Sequence, residues 1–179
     1  MKTSFVFSGS GGQGIMSAGI TLAQAAIDMG KHATYLPEYG PEQRGGTANV
    51  TVIVSDERIS SPIISSYDTA IILNQPSLDR FQSAIKPGGT LIYDGYGISV
   101  PPTRTDISIF EINAMDTAAE MGNAKGFNMI VLGALLRVRP IVTIDNVLKA
   151  LRKTLPERHY DLIPANEEAL RKGMEIIHI

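Results

Sequence analysis

Residues Gly9-Ser10-Gly11-Gly12-Gln13-Gly14 follow directly on the apolar run Ser4-Phe5-Val6-Phe7-Ser8. A short strand entering a glycine-dense turn and then an apolar-periodic segment builds a strand–loop–helix unit. Its loop exposes backbone N–H groups at a helix N-terminus, which suits a phosphate or another anion. Gly9, Gly11 and Gly14 carry the Gly-x-Gly-x-x-Gly spacing. Gly9 would allow the tight turn, Gly11 and Gly12 would let a ligand approach the backbone, and Gly14 would let the helix pack closely. A dinucleotide site also wants an acid at the end of the second strand, and Glu38 stands near that place. Pro37 precedes it, however, and a Tyr39-Gly40-Pro41 turn follows at once. Three readings stand: NAD or FAD, another phosphate-bearing group or a partner's backbone, and a tight turn without ligand.

The sharper signal is a second loop, Glu38-Tyr39-Gly40-Pro41-Glu42-Gln43-Arg44-Gly45-Gly46-Thr47. It offers the Arg44 guanidinium, the Glu38 and Glu42 carboxylates, the Gln43 amide and a Gly45-Gly46 approach. Arg44 suits a bidentate grip on phosphate or carboxylate; alternatively it pairs with Glu38 or Glu42 and stiffens the loop. Parallel neighbouring strands would set this loop beside the first at the carboxyl edge of a sheet, where open α/β sheets bind ligands. Asn74 and Gln75 end a central strand at the same edge, to bond a ligand or to cap the loop. Asp94, before Gly95-Tyr96-Gly97, reads as a turn former or as a supporting group behind a site. Asn128, inside an apolar stretch, must find a hydrogen-bond partner. His32, His159 and His178 lack metal-ligand spacing.

The elements that hold these loops follow from periodicity. Residues 3–8 read as a buried strand, and residues 13–29 as a helix with Ile15, Leu22, Ala26 and Met29 at helical spacing, stopped by Gly30. A strand over 32–36 returns parallel to the first. Residues 37–46 are loop by composition. Residues 48–55 alternate as a strand, Asp56-Glu57 turns, and 58–64 is expected to return as a short strand, making a hairpin. Strands follow at 69–73, 90–93 and 107–112, with a helix opening at Pro76, a turn at Pro87-Gly88-Gly89 and a helix capped by Asn113 and ended by Gly122. Residues 127–138 are apolar all round, which means deep burial or a subunit contact. Thr143 caps a helix to about Lys153, and Pro164 opens a last one with Ala165, Ala169 and Met174 on one side. The expected fold is α/β: a mostly parallel, doubly wound sheet with helices on both faces and a β-hairpin insertion, as a single domain over 1–179.

Composition narrows the function. The 179 residues carry a formal net charge of −2, and 44% are apolar. No basic excess marks a nucleic-acid surface. Arg137, Arg139, Lys149, Arg152 and Lys153 read as a solvated helical face. There is no cysteine, hence no disulfide, thiolate metal site or iron–sulfur ligation within the chain. No run is long enough to span a bilayer, and the first strand begins too early for a signal peptide, so a cytoplasmic location is expected, with no membrane contact. No Ser, His or Cys triad is apparent, and no catalytic residue or metal site is assigned.

Two further motifs join the glycine loops: Asn74-Gln75-Pro76-Ser77-Leu78 and Asn128-Met129-Ile130-Val131-Leu132-Gly133-Ala134-Leu135. Together with Gly9–Gly14 and Tyr39–Gly46, in this order, they resemble the gamma subunit of 2-oxoacid:ferredoxin oxidoreductases (pyruvate, 2-ketoisovalerate, 2-oxoglutarate). The resemblance covers nearly the whole chain. It implies a complex that oxidatively decarboxylates a 2-oxoacid with coenzyme A, giving acyl-CoA, CO2 and reduced ferredoxin. Thiamine diphosphate would sit on alpha and beta subunits, and iron–sulfur clusters on beta or a ferredoxin-like subunit; this chain alone would bind no cofactor. Its partners would be alpha, beta and, where there is one, delta subunits, with ferredoxin met through the complex. The chain would complete the complex and face the coenzyme A side through Gly9, Gly11, Gly12, Gln13, Gly14, Tyr39, Gly40, Glu42, Arg44, Gly45, Gly46 and Asn74. The beta subunit of the indolepyruvate enzyme shares this domain, so the 2-oxoacid is left open. The competing reading is a free-standing NAD- or flavin-binding α/β protein.

Overall fold

The computed structural model describes residues 1–40 and 46–179. Six strands form one sheet in the order β2-β3-β1-β4-β5-β6. They are β1 (Lys2–Ser10), β2 (His32–Tyr39), β3 (Thr47–Ser55), β4 (Tyr67–Ile72), β5 (Ile85–Asp94) and β6 (Ser108–Ile112). β1, β4, β5 and β6 pair in parallel, while β3 runs antiparallel to both β1 and β2. The expected mostly parallel sheet with a hairpin is therefore present, but the hairpin is β2–β3. Residues 58–64 form no strand. β1 and β2 point the same way yet are not neighbours, because β3 lies between them. The valines explain its choice of place. Val50, Val52 and Val54 are fully buried, face Pro37, Tyr35 and Ala33 of β2 in register, and join one core with Phe5 and Phe7 of β1. A strand between two others pairs these side chains with neighbours on both sides, which favours this place.

β2 also runs further than composition implied, through Pro37 to Tyr39. It is an edge strand, where a missing N–H costs no ladder bond. The Pro87-Gly88-Gly89 turn is absorbed into β5 as a bulge: the register steps from Tyr67↔Ile85 to Thr69↔Thr90. Gly88 adopts a φ of 76° there.

Helices cover the two faces unequally. On one face lie α1 (Ile15–Asp28), α3 (Ala114–Glu120), α4 (Phe127–Val138), α5 (Ile144–Thr154) and α6 (Ile163–Ile176). On the other, α2 (Gln75–Phe81) packs Leu78 and Phe81 on Val6, Ile72 and Leu91. Gly122, at φ 64°, ends α3, and Thr143 Oγ1 caps α5 by accepting from Asn146 N–H at 3.1 Å. Asn113 begins α3 by its backbone: its carbonyl accepts from Thr117 N–H at 2.9 Å, and its side chain makes no cap bond. α6 turns Ile163, Ala169, Leu170 and Gly173 inward, while Ala165 is exposed. No helix among the described residues is long and apolar enough to cross a membrane.

The apolar α4 is buried within the chain itself, nine of its twelve residues losing contact with water. α6 closes over it at two glycines. A Cβ on Gly133 would run into the Leu170 carbonyl, and one on Gly173 into the Ile130 carbonyl. Backbone cannot swing aside as a side chain can, so each glycine is required by close approach. Gly133→Ala and Gly173→Ala should each lower stability by about 2–3 kcal/mol. Gly122→Ala, where a Cβ meets only open space, should cost about 1 kcal/mol through its left-handed φ. Urea unfolding midpoints of the three variants check this order.

Candidate functional site

The first loop is held from inside by its own glutamine. Gln13 Oε1 accepts from Ser10 N–H at 2.7 Å, and Gln13 N–H donates to Ser10 O at 3.4 Å. A Cβ on Gly9 would collide with that Gln13 oxygen and would meet Leu73 Cβ at 2.9 Å. Gly12 and Gly14 adopt φ of 89° and 75°, which side chains rarely accept. Gly14 has a second constraint. Its carbonyl accepts from Asn128 Nδ2 at 3.2 Å, and a Cβ would come within 2.7 Å of the same amide. Asn128, expected to be buried in α4, is half-buried and ends on the loop that opens α1.

The second loop meets the first through backbone. The β1–β3 ladder ends at Ser10↔Thr47, and Gly11 N–H then donates to Gly46 O at 3.1 Å. Gly40 N–H donates to Thr47 O at 2.9 Å, closing the ends of β2 and β3. Between the loops lies a cleft of about 520 Å³, lined by Ser10, Gly11, Gly12, Gly14, Ile15, Met16, Ser17, Tyr39, Gly40, Gly46, Thr47 and Ala48. Tyr39, 73% exposed, stands at its rim. Glu42, Gln43, Arg44 and Gly45 lie outside the described residues.

The N–H groups of the first loop divide into two sets. The N–H groups of Gly11 and Gln13 are already bonded within the loops. Those of Gly12 and Gly14 have no backbone partner among the described residues. The first-turn N–H groups of Ile15, Met16 and Ser17 have none within the helix, and all three residues line the cleft. Oriented backbone dipoles at this end favour negative charge. Gly9 and Gln13 shape the loop from behind. Asn74 does likewise: its Oδ1 accepts from Ser77 N–H at 3.0 Å as the N-cap of α2, and its Nδ2 donates to Ser10 Oγ at 2.9 Å. Gln75 Oε1 accepts from the N–H groups of Ser99 and Val100, both at 2.9 Å, tying down the loop after β5.

Glu38 has its partner on α2, where Arg80 approaches to 3.3 Å. Sequence reasoning passed over Arg80, and also Ser10, Ser17 and Thr47 on the cleft wall; Ser10, enclosed by Gly9 and Gly11, carried the readable signal. Two smaller clefts of about 260 Å³ flank the α1 N-terminus, both lined by Lys125 and Asn128, and one of them by His159. Among the described residues, no group of three His, Cys, Asp or Glu could hold a metal ion. Part of the basic cluster is committed locally: Lys153 pairs with Asp28 at 2.7 Å and Arg139 donates to Thr90 Oγ1 at 2.9 Å.

Asp94 is 1% exposed at the end of β5. Burial pushes its pKa up to about 6, against the opposing pull of backbone N–H groups of Met115, Ala114 and Tyr96. Its Oδ1 has no partner among the described residues. The folded protein therefore binds a proton that the unfolded chain releases near pH 3.8. Stability relative to an Asp94→Asn variant should fall by about 2–3 kcal/mol as pH rises from about 4 to about 6, then level off. Denaturant titrations of both proteins across that range check the sign and the window.

Residues 4–176 match the family described as pyruvate ferredoxin/flavodoxin oxidoreductase. The chain is 41% identical over 128 residues to the ketoisovalerate oxidoreductase subunit VorA of Methanothermobacter thermautotrophicus, covering 72% of this chain and 26% of that one. It thus spans about a quarter of the length of that relative. It is 32% identical to the 2-oxoglutarate synthase subunit KorC of Methanocaldococcus jannaschii, over 98% of this chain and 94% of that one. Among solved structures, the gamma subunit of a keto/oxoacid ferredoxin oxidoreductase from Geobacter sulfurreducens superimposes with a TM-score of 0.80 at 31% identity, covering 97% and 96% of the two chains. The 2-oxoglutarate:ferredoxin oxidoreductase of Magnetococcus marinus, with 2-oxoglutarate, coenzyme A and succinyl-CoA bound, gives 0.87 at 25% identity, over 98% of this chain and 31% of that one.

Proposed function

Because the chain belongs to the pyruvate ferredoxin/flavodoxin oxidoreductase family, we propose that it is the gamma subunit of a multi-subunit 2-oxoacid:ferredoxin oxidoreductase. The complex converts a 2-oxoacid and coenzyme A to acyl-CoA and CO2 and passes the electrons to ferredoxin in the cytoplasm. This chain helps assemble the complex and supplies one wall of the coenzyme A side. The observation that carries the reading is the cleft between the two glycine loops. Its wall combines backbone N–H groups and a helix N-terminus, suited to the phosphates of coenzyme A, with apolar surface from Ile15, Met16 and Ala48 beside them. That ligand is bound in the Magnetococcus relative.

The donor set fits an anionic group. With no cysteine, the chain offers no thiolate to an iron–sulfur cluster, so the clusters belong to other subunits, and the family resemblance assigns thiamine diphosphate to alpha and beta. Gly11, Gly12, Gly14, Tyr39, Gly40 and Gly46 border the ligand, while Gly9, Gln13 and Asn74 hold the loop behind it. Arg44, with Glu42 and Gly45 in the same loop, adds a guanidinium for a phosphate. In the NAD or flavin alternative the ribose acid would be Glu38, which here pairs with Arg80 on α2.

Relatives named for ketoisovalerate and for 2-oxoglutarate share this domain. A cleft common to both reads what their reactions have in common, the coenzyme, and leaves the 2-oxoacid to other subunits. Affinity purification of the chain from its native host should bring down thiamine- and cluster-bearing partners. Elution alone with bound flavin or NAD would overturn the reading. In the purified complex, Arg44→Ala should raise the KM for coenzyme A about 10- to 100-fold, the worth of one charge-assisted contact, with the KM for the 2-oxoacid unchanged.

A further inference from the structure

The hydroxyl of Ser10 sits on the cleft wall with the sense of its hydrogen bond already decided. Asn74 Oδ1 accepts from Ser77 N–H at 3.0 Å, because an N-cap must present an oxygen to the first turn. Turning the amide over would set two donors face to face. Asn74 Nδ2 is therefore the group that meets Ser10 Oγ at 2.9 Å, and Nδ2 only donates. Ser10 Oγ is the acceptor in that bond, so its single O–H proton must go elsewhere. Among the described residues no acceptor takes it. Ser10 N–H is occupied by Gln13 Oε1 at 2.7 Å and its carbonyl by Gln13 N–H, so the residue has little freedom to turn. The anchor below is buried: Ser77 Oγ and Ser8 Oγ lie 2.8 Å apart beneath α2. The open side of Ser10 is the cleft of about 520 Å³.

We propose that Ser10 is a ligand-reading donor, its O–H aimed into the cleft at an anionic phosphoryl oxygen, and that Asn74 is the positioning residue that sets this polarity. A hydroxyl held by one donated N–H, with its own proton unspent, favours ligands that present a lone pair to it. It complements the free N–H groups of Gly12, Gly14 and the first turn of α1, which make the same demand. This rests on the reading of the cleft as the coenzyme A site, and it adds a side-chain contact that the glycine pattern does not contain.

The test uses the assembled complex. Hydrogen exchange in the wild type comes first: coenzyme A should protect the amides of residues 10–17. Absence of protection overturns the cleft reading and this proposal with it. Given protection, Ser10→Ala should raise the Kd and KM for coenzyme A about tenfold, with the KM for the 2-oxoacid and the melting temperature held. Wild-type affinity in Ser10→Ala overturns the proposal alone. Asn74→Asp keeps a good N-cap but places an acceptor against Ser10, so the proton turns inward. Its loss should be at least that of Ser10→Ala. The double variant Ser10→Ala/Asn74→Asp isolates the added charge. The cost of Asn74→Asp must be smaller in the Ser10→Ala background than in the wild type; equal costs in both backgrounds overturn the polarity argument.

Discussion

The hydrogen bond from Gly11 N–H to Gly46 O, at 3.1 Å, is the rung on which the site depends. It extends the β1–β3 ladder one step beyond Ser10↔Thr47 and carries the pairing from the sheet into the loops. Two segments far apart in sequence are thereby fixed at backbone distance. The bond also dictates composition. A ladder continuing into a turn needs residues able to leave the strand within one or two positions, and Gly12 at φ 89° does so on the first side. With this rung in place, the cleft has two walls; without it, each loop is only a connection.

A second constraint ties that edge to the core. α4 is almost wholly buried, and Asn128, half-buried near its start, donates to the Gly14 carbonyl. α4 is in turn clamped by α6, where Gly133 and Gly173 allow backbone to touch backbone. The position of the α1 N-terminus is thus fixed from two directions, by β1 before it and by α4 beneath it. Charge selection by oriented N–H groups needs such fixity, since dipoles free to reorient act much as water does. On the other side of the sheet, the Ser8–Ser77–Asn74 contacts perform the same service for Ser10.

What the sequence disclosed divides along the same physical line. The strand–glycine–helix unit, the apolar α4, the Thr143 cap and the all-α/β alternation are local patterns, and they were legible. The place of β3 was not. Alternating Val50, Val52 and Val54 show that a strand is buried on one face, but not which strands flank it, because that choice is made by partners distant in sequence. Residues 58–64 looked like the returning strand because they lie close by, and Pro37 concealed the true one. Asn74 was legible as a polar group at the sheet edge, but its two roles, ligand contact and N-cap, use the same residue type. Only the 3.0 Å approach of Ser77 N–H separates them. Asp94 hid in the same way, since a turn-forming and a buried carboxyl look alike until α3 is packed over it.

The chemistry of the cleft also sets what it cannot discriminate. Backbone N–H groups, glycines and a serine recognise negative charge and hydrogen-bond polarity, and they allow close approach. Ile15, Met16 and Ala48 add apolar surface to the same cleft, and such surface separates ligands differing by one methylene by only about 1–3 kcal/mol. Among the described residues its lining holds no Asp, Glu, His, Lys or Cys to act as a general base. A surface of this kind is generic toward the variable part of a substrate and selective toward a shared, anionic part. On the proposed reading, selectivity for the 2-oxoacid and the covalent chemistry lie with whatever faces the cleft, at whose rim Tyr39 stands exposed.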